Sequence, residues 1–207
     1  KDPYRDYIHL MFLWHASKDN LPHSRRNLYY MHMDHTTGTW TSMKNEKLNT
    51  PLSFEEANEK AMIFDSKNKY SSIPQHWLTV DGRPVGLNRI SEDDGVAIRH
   101  LHVWTGESWR TQKVPIDVML KPTKKEWVGF RSREGTVQRF TSKDEGAHWT
   151  PEEVILKTDG EQNLNAHNNN LYEWTKDKNI NIMPFIEYAY TEIKNTQQYL
   201  EQRNIKY

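Results

Sequence analysis

Cysteine is absent from the 207 residues, so neither a disulfide nor a thiolate metal site can hold this fold together. Net charge is absent too. Lys+Arg and Asp+Glu number 28 each, which removes the global field expected of a nucleic-acid or acidic-membrane binder. No run approaches the ~18 apolar residues of a membrane-spanning helix, and no Asn-x-Ser/Thr glycosylation sequon occurs. The chain begins Lys1-Asp2-Pro3 with neither Met nor signal peptide, so we expect a processed or truncated chain. Apolar residues are scarce at 35%, but eight Trp and ten Tyr each bury a large area. An apolar-poor, aromatic-rich chain fits many short strands better than a helical bundle.

The strand signals come in order. Tyr7–Trp14 is an aromatic and aliphatic run, followed by a polar loop and a second strand at Asn27–Met33. Asn45–Lys69 reads as a long connection with helical composition at Leu52–Ala61. Gln75–Val80, Asp81-Gly82-Arg83-Pro84 and Val85–Ile90 form a hairpin signal. Ala97–Trp104 and Ser108–Val114 form another, and Glu126–Arg131 pairs with Thr136–Phe140. Val154–Leu156 is expected as an outer strand, Ile182–Tyr188 as a last strand, and Thr191–Arg203 as a terminal helix.

One turn repeats. Ser142, Asp144, Gly146 and Trp149 match the Ser-x-Asp-x-Gly-x-Thr-Trp pattern of an Asp-box, with His148 in the Thr place. In such a turn an Asp accepts from nearby backbone N–H groups, and Gly permits positive φ. Arg99–Trp109 aligns on Arg139–Trp149 without gaps, and Asp34–Trp40 is a degenerate copy with His32 in the Ser place. Asn27-Leu-Tyr29 to Asp34 recurs as Asn170-Leu-Tyr172 to Asp177. A spacing of roughly 40–50 residues is that of propeller blades. The expectation is therefore an all-β fragment of a β-propeller, about three to four four-stranded blades with Asp-box turns and a short C-terminal helix. The blades fall at about 1–50, 70–115, 117–156 and 163–190, with a helix or tail at 191–207.

With these elements in order, residues 7–155 resemble the BNR-repeat propeller family that includes ulvan-type polysaccharide lyases. The residues that carry this are the strand Ile8–Trp14, Asn27-Leu-Tyr-Tyr-Met31, Asp34, Gly38-Thr-Trp40, Glu55-Glu56, Val80–Pro84, the Trp104–Trp109 hairpin and the Ser142–Trp149 turn. The resemblance implies an extracellular or periplasmic protein acting on an acidic polysaccharide by β-elimination. It also implies an arginine just after the first strand, where His15 stands. The alternatives are a non-catalytic glycan-binding propeller and a sialidase-type glycoside hydrolase. Neither nucleic acid nor membrane is expected as a partner. Closing a propeller ring would take further blades or another chain.

Elimination needs a positive group or donor on the uronate carboxylate, a base for the C5 proton and an acid for the leaving oxygen. His15, at a strand end, and Tyr70, between the long connection and the next blade, are the catalytic candidates. Arg25, Arg26, His76, Asn88, Arg89 and Arg99 are the substrate-binding candidates, the arginines because a guanidinium pairs with a carboxylate or sulfate bidentately. Five of them have a plainer reading: strand-end or core residues for His15 and Tyr70, solvated charges for Arg25 and Arg26, and a repeated structural role for Arg99, whose counterpart is Arg139. His32, His102 and His148 occupy turn positions and read as structural. His32, Asp34 and His35 superficially suggest a metal site, but the turn already accounts for Asp34. No metal site is expected from these side chains. Calcium, which takes oxygen ligands, has its sequence candidates at Asp93-Asp94 and Asp159-Gly-Glu161.

Overall fold

A computed structural model describes residues 7–15, 25–67, 69–91, 96–120, 122–133, 136–157, 164–166, 173–176, 179–182 and 186–188. The chain divides into two compact units, Lys1–Val114 and Pro115–Tyr207. Apart from one short helical segment, the described elements are antiparallel strands.

The first unit holds two four-stranded sheets. In the first, β1 (Tyr7–His15) lies along β2 (Arg25–Asp34), while β3 (Trp40–Thr41) and β4 (Met62–Phe64) also pair with β2. Because β1 takes one edge of β2, β3 and β4 share the other. The long connection expected at 45–69 thus contributes β4 to the sheet. A helical turn, α1 (Phe54–Glu56), runs into a π-helical segment at Ala57–Ala61. Ser53 caps it by accepting from the Glu56 N–H at 3.1 Å. Glu56 in turn binds the Lys60 ammonium at 2.9 Å and the side chain of Asn49, which together hold its carboxyl below the usual range.

Strand alternation gives the sheet two apolar faces. Tyr29 and Met31 pack with Leu48, Ala57 and Ala61 on one face, joined by Phe12, Trp14, Trp40 and Leu52. Met11, Leu28 and Tyr30 form the other face, with Leu13, Met43, Ile63, Phe64 and Trp109. Trp109 belongs to the second sheet, so this second face is where the two sheets meet.

That second sheet is an up-and-down meander: β5 (Gln75–Leu78), β6 (Pro84–Ser91), β7 (Ala97–Trp104) and β8 (Trp109–Val114). β5 ends two residues before Val80. Thr79 is drawn into the turn instead, where its hydroxyl donates to Asp81 at 2.5 Å and accepts from the Arg83 N–H at 2.8 Å. Gly82 supplies the positive φ that closes it.

In the second unit β9 (Val118–Met119), β10 (Trp127–Arg133), β11 (Thr136–Ser142) and β12 (Thr150–Lys157) form a third four-stranded sheet. Its β11–β12 turn is tied by side chains. Asp144 accepts from the His148 N–H at 2.9 Å and from the Ser142 hydroxyl at 2.8 Å. Ser142 accepts from the Gly146 N–H at 2.8 Å, and the Trp149 indole donates to the Gly146 carbonyl at 3.0 Å. The His148 bonds, backbone first, and the Ser142 hydroxyl hold the Asp144 carboxyl well below the usual carboxylate range.

Two short pairs follow: β13 (Leu164–Ala166) with β16 (Ile186–Tyr188), and β14 (Glu173–Lys176) with β15 (Asn179–Ile182). The single last strand expected at 182–188 is therefore split: Ile182 ends β15 and Ile186 begins β16, and the two belong to different sheets. The terminal helix, the Asn170-Leu-Tyr172 echo and both calcium candidates lie outside the described residues.

Candidate functional site

The segment Tyr70–Ser72 is the seam between the first two sheets. The Ser71 N–H donates to the Arg25 carbonyl at 3.0 Å. The Ser72 N–H donates to the Arg89 carbonyl at 2.8 Å, and the Ser91 N–H to the Tyr70 carbonyl at 3.0 Å. This stitching brings strand ends that are distant in sequence into one place. His15 faces Arg25 across β1 and β2, and Arg89 faces Arg99 across β6 and β7. The Arg25 guanidinium reaches the Tyr70 hydroxyl at 3.5 Å. The expectation put Arg25 and Arg26 in the loop ahead of β2, whereas both are its first residues.

His15, Arg25, Tyr70, Arg89 and Arg99 thus gather at one end of the two sheets. Arg89 and His15 are exposed, and the other three are half-buried. Two like charges directly opposite across a strand pair repel. Among the described residues neither Arg25 nor Arg89 has a carboxylate partner. Arg139, the sequence counterpart of Arg99, is by contrast paired with Glu152 and lies 3.7 Å from Glu126. The strand-end site can offer guanidinium groups and a phenol to an incoming anion.

Asn88 is placed differently. It is buried, its amide donates to the Ser71 hydroxyl at 2.7 Å, and its Oδ1 lies 2.9 Å from His102 Nε2. With both ends of its amide engaged inside the sheet, it supports the seam from beneath. His102 Nδ1 lies 2.9 Å from the Thr111 hydroxyl. Burial, with His100 nearby, pushes the His102 imidazole down to about 3.

His76 lies near His9, in a second cluster with Tyr7, Tyr30 and His32 toward the Tyr7–Asp34 end of the β1–β2 pair. The Tyr30 hydroxyl and His9 Nδ1 are hydrogen-bonded, and the His32 ring stands edge-on to Tyr7 at 4.9 Å. His32 Nε2 lies 2.9 Å from the Thr41 hydroxyl, whereas its buried Nδ1 has no hydrogen-bond partner among the described residues. Burial and then His9 lower His32 to about 4, whereas the His76 residue is exposed. Neither His9 nor Tyr30 is among the candidates drawn from the sequence. The signal was there in the alternation Tyr7, His9, Met11, which puts His9 on the sheet-packing face. Tyr30 is too deeply buried to touch a polymer.

Among the described residues no three His, Asp or Glu side chains stand close enough to hold a metal ion. Asp34 accepts from the backbone N–H groups of Thr36 and Thr37 at 2.8 and 3.2 Å, so it serves its own turn. His148 sits at 2.6 Å from Asp144 in the same way.

Comparison with known proteins places these elements in a family. An ulvan lyase of Nonlabens ulvanivorans is 30% identical over 124 residues, which is 50% of this chain and 25% of that protein. Two solved structures of a PL25 polysaccharide lyase, an ulvan lyase, resemble 74% of this chain. One of the two is bound to -[GlcA(1-4)Rha3S]-. Their TM-scores are 0.62 and 0.63 at 20% identity, and in each case 41% of that chain is covered. The polysaccharide lyase Uly1 matches 83% of this chain at a TM-score of 0.53 and 13% identity, over 38% of its own length. The chain therefore spans between a quarter and about two-fifths of the length of these relatives. The sequence model of the BNR repeat-containing family matches residues 2–116, more than half of the chain, and the chain belongs to that family.

Proposed function

We propose that this chain is part of a β-propeller polysaccharide lyase that acts on an acidic glycan outside the cytoplasm. The three four-stranded sheets are read as blades, and the turns at Asp34–Trp40, Thr105–Trp109 and Ser142–Trp149 as Asp-boxes that build them. The observation that carries the reading is the strand-end site. Arg25 and Arg89, without carboxylate partners among the described residues, converge with Tyr70 and His15 at the seam of two sheets.

In this reading the guanidinium groups take the uronate carboxylate and draw charge from it, which acidifies the C5–H. A base removes that proton. The electron pair forms the C4=C5 double bond, the C4–O bond breaks, and the leaving oxygen takes a proton from an acid. Tyr70, beside Arg25, suits the acid role, and His15 the base. The likeness to ulvan lyases supports lyase chemistry as the family's activity.

The test is to treat uronate polysaccharides, ulvan first, with the full-length protein and follow absorbance near 235 nm. A rise reports the new double bond. Saturated reducing ends without absorbance would move the assignment to a hydrolase. His15, where the resemblance implies an arginine, favours one second reading, a propeller that binds glycan without cutting it. Binding with no product would establish that reading.

A further inference from the structure

We propose that Asn88 is a positioning residue, which sets the Tyr70 hydroxyl against Arg25 through the buried side chain of Ser71. The inference rests on the lyase reading above and deepens it. Ser71 and Asn88 are both buried. The Ser71 N–H donates to the Arg25 carbonyl at 3.0 Å, and the Ser71 hydroxyl accepts from the Asn88 amide at 2.7 Å. Ser71 thus joins the arginine strand of the first sheet to a side chain of the second, and Tyr70 is its neighbour in the chain.

Packing alone does not call for an amide at this place. Asp34, Trp104 and Asp144 hold the same position in the three repeated turns, and Tyr30, His100 and Phe140 stand at the same distance before them. Facing these across the strand pairs are Met11, Asn88 and Gly129. The other two sheets therefore fill the position without a hydrogen-bonding side chain. A buried amide is unfavourable unless its ends are bonded, so Asn88 adds a requirement that the repeat does not impose.

Nor does His102 require it. His32 stands where His102 stands in the repeat, and each lies 2.9 Å from the hydroxyl of the threonine opposite, Thr41 or Thr111. The second nitrogen of His102 meets Asn88, whereas that of His32 has no hydrogen-bond partner among the described residues. The fold thus keeps a histidine here with one bonded nitrogen. What remains is the other end of the amide, at Ser71. The segment is bonded to β6 by the Ser91 N–H at Tyr70 and by the Arg89 carbonyl at Ser72. Asn88 grips the residue between them, and His102 and Thr111 brace Asn88 from β7 and β8. The Arg25 guanidinium reaches the Tyr70 hydroxyl only at 3.5 Å, so a small shift of Ser71 would part them.

The experiment applies the absorbance assay on ulvan, with unfolding midpoints measured alongside, to full-length Ser71→Ala, Asn88→Leu and the double variant. Each single variant leaves a buried group unpaired. The double variant removes both, so its midpoint should return toward that of wild type. In all three, kcat should fall roughly ten- to hundred-fold, the range of a displacement of about 1 Å, with KM little changed. Added to Tyr70→Phe, Ser71→Ala should lower kcat no further, because both act through one hydroxyl. Recovery of kcat together with the midpoint in the double variant would overturn the proposal, since a merely structural role gives that result. Unchanged kcat in the single variants, or a full further loss on the Tyr70→Phe background, would overturn it too. All three results leave the strand-end reading standing. If wild type forms no double bond, or Tyr70→Phe keeps the wild-type kcat, the proposal falls with the reading it rests on.

Discussion

His102 Nε2 lies 2.9 Å from Asn88 Oδ1, and this buried contact continues through the Asn88 amide to Ser71, in the seam that carries the candidate site. A carboxamide oxygen only accepts, so His102 bears its proton on Nε2. Being neutral, it accepts from Thr111 at Nδ1.

A pH dependence follows. His102 is held down to about 3, and His32 to about 4, against the ordinary 6.5 of the unfolded chain. Groups with lowered folded values favour the fold fully above the unfolded value. That contribution is lost as pH falls, because the unfolded chain takes up protons first. At pH 5 the loss from His102 alone is about 2 kcal/mol. Chemical denaturation should show stability level above pH 7 and falling between pH 6.5 and 4. A flat profile through that window would mean that these imidazoles are not buried and neutral.

At the strand ends, removing Arg25 and removing Tyr70 should act on different constants. On the proposed lyase reading, Arg25→Ala takes away carboxylate binding and should raise KM roughly 10- to 100-fold for a uronate polymer. Tyr70→Phe keeps the ring and deletes the proton donor, so kcat should fall about 100-fold or more with KM little changed. Steady-state absorbance assays separate the two. Equal, mild effects on KM alone would assign Tyr70 to binding.

Part of this was legible in the chain itself. The Asp81-Gly82 hairpin, the β7–β8 and β11–β12 pairs and the Ser142–Trp149 turn depend on neighbours in sequence, where alternation and turn chemistry speak directly. The strand Met62–Phe64 was not legible. Three residues show no period, and its pairing with Leu28 and Tyr29 depends on a partner more than thirty residues away. The candidate site was half legible: His15, Arg25, Tyr70 and Arg89 stood out as strand-end or loop residues. The convergence of Arg25 on Tyr70 depends on backbone bonds from Ser71 that no local pattern announces. Asn88 looked like a site residue because its amide was polar and on an inner strand. Its commitment to Ser71 and His102 needed three dimensions.

Two glycines should differ in tolerance although each stands mid-strand. A Cβ at Gly129 would meet three atoms of Ile116, Cδ1 at 2.7 Å, Cγ2 at 2.8 Å and Cβ at 3.0 Å. A β-branched side chain fully buried at its root has few ways to move. A Cβ at Gly86 would meet the Met11 sulfur and its Cε at 2.8 Å, the far end of a flexible side chain. Gly129→Ala should cost about 2–3 kcal/mol and Gly86→Ala about 1 kcal/mol or less. Unfolding midpoints of the two variants test the order. The reverse order would show that the Met11 packing between the sheets is the stiffer of the two.

Asn27 is the hinge on which the arginine end of β2 is set. Its φ is 56, a left-handed value that asparagine tolerates better than most side chains. Its N–H donates to the Ser66 hydroxyl at 3.1 Å, and its Oδ1 accepts from the Ser66 N–H at 3.0 Å. Its Nδ2 donates to the Tyr29 hydroxyl at 3.0 Å, which itself donates to Asn58 at 2.8 Å. The conformation and the bonds can be separated by substitution. Asn27→Gly keeps the backbone free and loses only the side-chain bonds, leaving the buried Ser66 N–H unpaired at a cost of about 1–2 kcal/mol. Asn27→Ala loses the same bonds and adds left-handed strain, about 1 kcal/mol more. Arg25 begins the same strand two residues earlier, so Asn27→Ala should also raise KM for a uronate polymer, while Asn27→Gly does so less. Equal KM values in the two variants, alongside the expected stability order, would show that Arg25 is placed by the Ser71 and Tyr70 contacts alone.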